Sequence, residues 1–120
     1  MATVGVGEWT GWGARRRYER VAFNCPVVAW LLGGGPMHSS RSVDISLGGV
    51  RIVTTLSAAP GELLRLEFHV KDDGETVREE LAGRVVHVTV DDCLSTLGIE
   101  FLEPLTEGRQ PALVRRIRRL

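Results

Sequence analysis

The sequence has few cysteines, no long apolar run and no recognisable leader. Its two cysteines, Cys25 and Cys93, are far apart and form no C-x-x-C pair, which argues against a disulfide framework and indicates reduced thiols. The longest apolar run, residues 26–32, is too short to span a bilayer. No basic segment followed by an apolar one opens the chain. We therefore expect a cytoplasmic protein that does not insert into a membrane.

Net charge is also absent, because 15 basic and 15 acidic side chains cancel. The charges are nevertheless segregated. Four arginines lie within residues 15–20, four more lie within the last six residues, and twelve acidic side chains lie within residues 62–107. A basic patch attracts anions whatever the total charge of the chain. Only one basic residue is a lysine, and arginine, unlike lysine, binds phosphate bidentately and stacks on bases.

At 120 residues the chain is long enough for one domain with a modest core. We predict a flexible, glycine-rich arm over residues 1–14, followed by the domain over residues 15–120. Trp9 and Trp12 are the only large side chains of the arm, and we favour their packing against the domain over stacking on a ligand. The basic face at the C-terminus is expected to be solvated, although it could dock a partner.

Alternation of apolar and polar residues predicts a protein built mainly of β-strands. The pattern is clearest over residues 63–70, and further strands are predicted over 20–32, 40–45, 50–55, 76–90 and 96–102. Pro26 predicts an edge or a bulge in the first of these, and Gly83 predicts a bulge or a close approach. Residues 72–74 predict a hairpin turn with glycine at positive φ.

The C-terminal residues have helical periodicity. Leu113, Val114 and Ile117 recur at the spacing of one helix face, which predicts a short amphipathic α-helix. Short strands at regular intervals followed by one helix favour a small antiparallel β-barrel.

Two polar segments carry groups suited to a nucleotide. The first is an arginine cluster at residues 15, 16, 17 and 20, whose guanidinium groups can bind phosphate, bond O6 and N7 of guanine, or stack on a base. The second spans residues 44–49. There the Asp44 carboxylate can accept from the N1 and N2 hydrogens of guanine, and the Ser46 hydroxyl can bridge to a base or a phosphate. Gly48 and Gly49 permit close approach of the backbone.

Together these segments resemble the PilZ domain family, whose pattern is R-x-x-x-R followed by (D/N)-x-S-x-x-G. Arg16 and Arg20 fill the first motif, and Asp44, Ser46 and Gly49 fill the second. Further matches lie at residues 83–86 and 98–101. The resemblance covers the chain from residue 15 to the C-terminus.

The resemblance implies a six-stranded antiparallel β-barrel that binds cyclic di-GMP. His87 stands where some relatives stack a tryptophan on a base, and a histidine ring stacks less well. The residues expected at the ligand are Arg15, Arg16, Arg17, Arg20, Asp44, Ser46, Gly48, Gly49 and His87. We expect the Arg20 side chain to lie in solvent when no ligand is bound.

The function that follows is a non-enzymatic receptor or adaptor in which cyclic di-GMP orders the arm and switches a partner protein. One alternative is a PilZ-like protein-interaction module that no longer binds the nucleotide. A second, less favoured because few aromatic residues interleave with the arginines, is a small barrel that binds single-stranded nucleic acid. The three histidines share no metal-ligand spacing with the cysteines, and no nucleophile elbow is present, so neither a metal site nor catalysis is expected.

Overall fold

The computed structural model describes residues 19–119, which form an antiparallel sheet followed by a helix. The predicted arm over residues 1–14, and Arg15, Arg16 and Arg17 with it, lie outside the described residues. Between residues 19 and 119, no helix is long and apolar enough to cross a membrane. The elements are β1 (Val21–Ala22), β2 (Pro26–Leu31), β3 (His38–Ile45), β4 (Gly49–Thr54), β5 (Leu63–Asp72), β6 (Glu75–Asp91), β7 (Leu94–Phe101) and α1 (Pro111–Arg119).

Six of these strands close into a barrel, which confirms the predicted fold class. Their order is β3-β2-β5-β6-β7-β4, and pairing of β4 with β3 closes the ring. All of the ladders are antiparallel. The short β1 lies outside the barrel and pairs with the end of β3, where Val21 opposes Ile45 and Ala22 opposes Asp44.

The strand predicted over residues 20–32 is divided in two. Residues 23–25 separate β1 from β2, and Pro26, which has no N–H to donate, is the first residue of β2. Ser42 of β3 satisfies the backbone at this break, because its hydroxyl accepts from the Cys25 N–H at 2.9 Å and donates to the Phe23 carbonyl. The interruption therefore takes the place of the expected bulge or edge.

The core is formed by alternate residues of the strands. On β5 the side chains of Leu64, Leu66, Phe68 and Val70 are fully buried, as the alternation predicts. Phe68 meets Phe101 of β7 edge to face, with ring centroids 6.5 Å apart. The buried residues therefore form one hydrophobic core inside the barrel.

The predicted C-terminal helix is present, and it begins at Pro111. Its N-terminus is held by Glu79, an inward-facing residue of β6 that is 7% exposed. The two carboxylate oxygens of Glu79 accept from the N–H groups of Ala112 at 2.8 Å and Leu113 at 2.9 Å. An acidic group at this end also suits the helix dipole.

Two backbone features agree with the sequence. The β5–β6 hairpin turns through Asp73 and Gly74, both in the left-handed region with φ of 53° and 83°, as a two-residue primed turn requires. Gly83 marks a close approach, because a Cβ there would lie 2.5 Å from Cγ2 of Ile99 on β7. The register shift in the β6–β7 ladder follows it, between Val85 and His87.

Candidate functional site

Asp44 is the centre of a charged cluster on the outside of the barrel. Nη2 of Arg20 donates to its Oδ1 at 3.0 Å, and Nε of Arg51 donates to its Oδ2 at 3.0 Å. A second Arg51 donor, Nη2, reaches the same Oδ2. The Asp44 side chain is only 15% exposed, whereas those of Arg20 and Arg51 are 27% and 41% exposed. The cluster therefore presents guanidinium groups to solvent above a largely covered carboxylate.

The position of Arg20 corrects one expectation. We expected this side chain to lie in solvent in the unliganded protein, but it is bound to Asp44 across 24 residues of sequence. The contact follows from β1, whose Ala22 pairs with Asp44 and so brings the preceding Arg20 alongside it. One arginine of the predicted cluster is therefore placed against the second predicted motif without a ligand.

Two local features aim Asp44 at the arginines. The β3–β4 ladder shifts register between Ser42 and Asp44, and such a bulge redirects the side chains beside it. Beyond the shift, Ile45 pairs with Val50 and Asp44 pairs with Arg51. Residues directly opposite in an antiparallel pair have side chains on the same face, which puts these opposite charges in contact.

The turn between β3 and β4 contains the other residues of the second motif. Ser46 is fully buried, and its hydroxyl accepts from the Gly48 N–H at 3.1 Å. The Ser46 N–H donates to the Gly49 carbonyl at 2.8 Å, and the Gly48 carbonyl accepts from the Phe101 N–H at 2.9 Å. Both glycines are buried. Contact of Ser46 with a ligand stays a prediction, since its hydroxyl holds the turn in this structure.

His87 lies on the same outer face as the charged cluster. Asp44, Arg51, Gly98 and His87 pair in succession across β3, β4, β7 and β6, and so form one row. His87 is exposed, and its Nε2 lies 3.4 Å from the Thr89 hydroxyl. Gly98 contributes no side chain between Arg51 and His87. Strands two apart are roughly 10 Å apart, which leaves room for a planar ring between a guanidinium and an imidazole.

Arg51 is the member of this cluster that the sequence analysis missed. The signal was present, because two short strands joined by residues 46–49 place residue 51 opposite residue 44. Arg51 was hidden by its position inside a predicted strand, two residues after the end of the second motif. The structure thus brings together Arg20, Asp44, Arg51 and His87, and it describes none of Arg15, Arg16 or Arg17.

The arginines of α1 are engaged within the domain. Arg115 donates to the Asp72 carboxylate, and this bond holds the pKa of Asp72 below its usual value and raises that of Arg115. Their other contacts are Arg116 over the Phe23 ring, 5.5 Å from its centroid, Arg118 with Glu107 at 3.2 Å, and Arg119 with Asp72 at 4.0 Å. Three of these arginines therefore contact the barrel or the segment that precedes β2, and Arg118 contacts the loop before the helix.

Metal ligands are not gathered anywhere in the described part of the chain, where no group of three or more His, Cys, Asp or Glu side chains is placed to hold an ion. The donor set of the cluster agrees with this, because two guanidinium groups repel a cation and attract an anion.

A protein-family model described as PilZ domain matches residues 14–119. No curated protein sequence matches the chain. The solved structure of the Bacillus subtilis inhibitor of motility, MotI/DgrA, is 27% identical with a TM-score of 0.71, over 88% of this chain and 51% of that one. This chain therefore spans about half of MotI/DgrA.

Two other solved structures share the fold at lower identity. The PilZ domain of Escherichia coli YcgR, determined with c-di-GMP, is 17% identical with a TM-score of 0.62, over 88% of this chain and 95% of that one. The PilZ domain of CeSA from a cellulose-synthesizing bacterium is 14% identical with a TM-score of 0.55, over 82% and 94% of the two chains.

Proposed function

The chain belongs to the PilZ domain family, and from this premise we propose that it is a receptor that binds cyclic di-GMP on the outer face of its barrel. The observation that carries the proposal is the convergence of Arg20 and Arg51 on Asp44. Their guanidinium groups are planar forks of donors, which match phosphate oxygens and the O6 and N7 edge of guanine.

The Asp44 carboxylate supplies the complementary part of guanine recognition. An ionised carboxylate has about four acceptor positions, and the two arginines occupy three of them. The remaining position on Oδ1 can accept from N1 or N2 of guanine. A turn of Arg20 toward a phosphate opens the second position on that oxygen, so that the ligand exchanges one ion pair for another.

The other predicted residues receive distinct roles in this proposal. Arg15, Arg16 and Arg17 approach from the N-terminal side of Arg20, as the family pattern implies. His87 flanks the open space at Gly98 and stacks on a base. Ser46, Gly48 and Gly49 hold the turn that fixes Asp44.

The protein would act by binding and release without chemical change of the nucleotide. Binding at Arg20 alters the segment that leads into β1, and we propose that the altered surface switches a partner protein. Such a role is in keeping with the description of MotI/DgrA, one of the matched proteins, as an inhibitor of motility.

Calorimetric titration with cyclic di-GMP tests the proposal, with GTP and cyclic di-AMP as controls for guanine and for the cyclic dinucleotide. Arg20→Ala removes a charge-assisted bond and is expected to weaken binding by about 10- to 100-fold. The matched control is Arg65→Ala, which removes an arginine paired with Glu80 at 2.7 Å elsewhere on the barrel. It should bind as the unmodified protein does.

These titrations, extended to generic oligonucleotides at several salt concentrations, distinguish the rival functions. A folded protein that ignores cyclic di-GMP would contradict the receptor and favour the protein-interaction module. Binding of generic oligonucleotides that weakens steeply with salt would favour the single-stranded nucleic-acid binder. Equal affinity of Arg20→Ala and the unmodified chain would contradict the site while leaving the ligand open to a different surface.

A further inference from the structure

An apolar groove lies on the outer face of the barrel beside the charged cluster. It has a volume of about 760 Å³, and its walls include Val43, Val53 and Leu94. Val43 on β3 and Leu94 on β7, the two strands that flank β4, are 40% and 44% exposed, which is high for apolar side chains. The groove begins at Val43, next to Asp44, and runs toward the β6–β7 hairpin. The proposed nucleotide contacts do not use it.

The groove also has a polar wall suited to an aromatic occupant. Nε of Arg41 donates to Oδ1 of Asn24 at 2.7 Å, which holds the guanidinium at the groove. Thr55 also lines the groove, and its hydroxyl lies 2.9 Å from Nδ1 of His38. A guanidinium attracts the face of an aromatic ring, most strongly that of tryptophan. An indole N–H in turn needs a hydrogen-bond acceptor when the ring is buried. Arg41 supplies the guanidinium, and the side-chain oxygens of Asn24 and Thr55 supply acceptors.

The chain outside the described residues is long enough to reach this groove. Residues 1–18 lead into Glu19 and Arg20, and Arg20 is bound to Asp44, the neighbour of Val43. Because β1 is antiparallel to β3, the backbone before Ala22 is directed toward the β3–β4 turn, and the segment reaches the groove by folding back. Trp12 precedes Arg20 by eight residues, and an extended chain spans about 3.3 Å per residue, or roughly 26 Å here. A six-residue strand such as β4 is roughly 20 Å long. Folding back over the charged cluster therefore brings both Trp12 and Trp9 within reach of the groove.

The composition of residues 1–18 indicates which segment occupies the groove. Trp9 and Trp12 are the only aromatic residues among residues 1–17, and Glu8 is the only acidic residue among residues 1–18. One acidic group beside two indoles complements a groove whose one charged wall residue is Arg41. We propose that the segment carrying Glu8, Trp9 and Trp12 docks in this groove.

Docking has a structural consequence for the arginine run. Residues 13–19 lie between Trp12 and Arg20, so docking restrains one end of this stretch in the groove while the other end is held at Asp44 through Arg20. Arg15, Arg16 and Arg17 are then held between the groove and the charged cluster. The docking itself does not depend on nucleotide binding, and its test uses no nucleotide.

Tryptophan fluorescence of the full chain tests the inference. Trp30 on β2 is the third tryptophan, and Trp30→Phe leaves Trp9 and Trp12 as the two reporters. In this background we expect blue-shifted emission and acrylamide quenching several-fold weaker than in urea. Leu94→Lys and, separately, Val53→Lys place a charge in the groove and should move both readings toward the urea values. Leu102→Lys, which changes a leucine that is 47% exposed away from the groove, should move neither.

Circular dichroism establishes that each variant is folded, and either groove variant suffices if the other fails to fold. The inference would be overturned if acrylamide quenched Trp9 and Trp12 in the native chain as fully as it does in urea. It would also be overturned if both folded groove variants left emission and quenching unchanged. A third contrary result is loss of a dimer in sedimentation with Leu94→Lys, which would identify a second copy as the occupant.

Discussion

Asp44 and Arg51 oppose each other directly across the β3–β4 hairpin, and two donors of Arg51 converge on one oxygen of the Asp44 carboxylate. The Arg51 side chain is 41% exposed, so solvent screens the pair, and ion pairs of this kind contribute about 0–1 kcal/mol to stability. Their importance lies in orientation, because the contact fixes the direction in which Asp44 presents its remaining acceptor.

Arg51→Ala tests this orienting role. We expect the affinity for cyclic di-GMP to fall by about 10-fold, since the variant loses a donor and leaves Asp44 less well fixed. The free energy of unfolding should change by less than about 1 kcal/mol. Titration calorimetry and urea unfolding measure the two quantities, with Arg78→Ala, an exposed arginine of β6, as the control. An unchanged affinity would show that Asp44 does not need Arg51.

The features that the sequence predicted well depend on local patterns. The alternation on β5, the Asp73–Gly74 turn and the apolar face of α1 are each written within a few residues, and the structure confirms them. The resemblance to the PilZ domain family added the prediction that six strands close into a barrel. Arg20 and Asp44, taken from two separate motifs, meet in the structure, although whether they contact a nucleotide stays a prediction.

The features that were missed depend on register and on distant contacts. Arg51 belongs to the site only because the β3–β4 pairing places it opposite Asp44. The division of the first predicted strand depends on Ser42, which is 17 residues away from Cys25 in the chain. Glu79 looked like one of many acidic residues in the middle of the sequence, and only tertiary packing makes it the cap of a helix 33 residues later.

Glu79→Gln tests that cap. The amide keeps the shape of the side chain but replaces one acceptor oxygen by a donor, which then faces a helix N–H. We expect a loss of about 1–3 kcal/mol in the free energy of unfolding, measured by urea denaturation. Glu80→Gln, at the exposed neighbouring position, should cost less than about 1 kcal/mol. Equal effects of the two variants would contradict the capping role.

Asp72 predicts a dependence of stability on pH. Its pKa is lowered from 3.8, chiefly by the hydrogen bond from Arg115. A carboxyl whose pKa is lower in the folded chain stabilises the fold at pH values above the unfolded pKa. That contribution declines as the pH falls from 3.8 through the folded-state pKa.

Urea unfolding of the unmodified chain and of Asp72→Asn across this pH range measures the effect. The difference in the free energy of unfolding between the two proteins should be constant above pH 5 and should shrink below pH 3.8. Asp73→Asn, the next residue of the hairpin, is the control. A difference that persists unchanged at pH 2 would assign the effect to packing of the side chain and not to its charge.

The two cysteines should differ sharply in reactivity. Cys25 is 4% exposed, burial raises the pKa of its thiol to about 11, and its Sγ lies 3.3 Å from the His69 carbonyl. Cys93 is exposed in the β6–β7 hairpin. Because the thiolate is the reacting form, Cys25 at pH 8 is both covered and almost entirely protonated.

We expect one equivalent of iodoacetamide to react with the native chain and a second to react only in urea. The variant Cys93→Ser should remove the first reaction and leave the second, so that labelling of Cys25 reports opening of the barrel where α1 covers Phe23. Rapid native labelling of Cys93→Ser would mean that this region opens far more readily than its packing indicates.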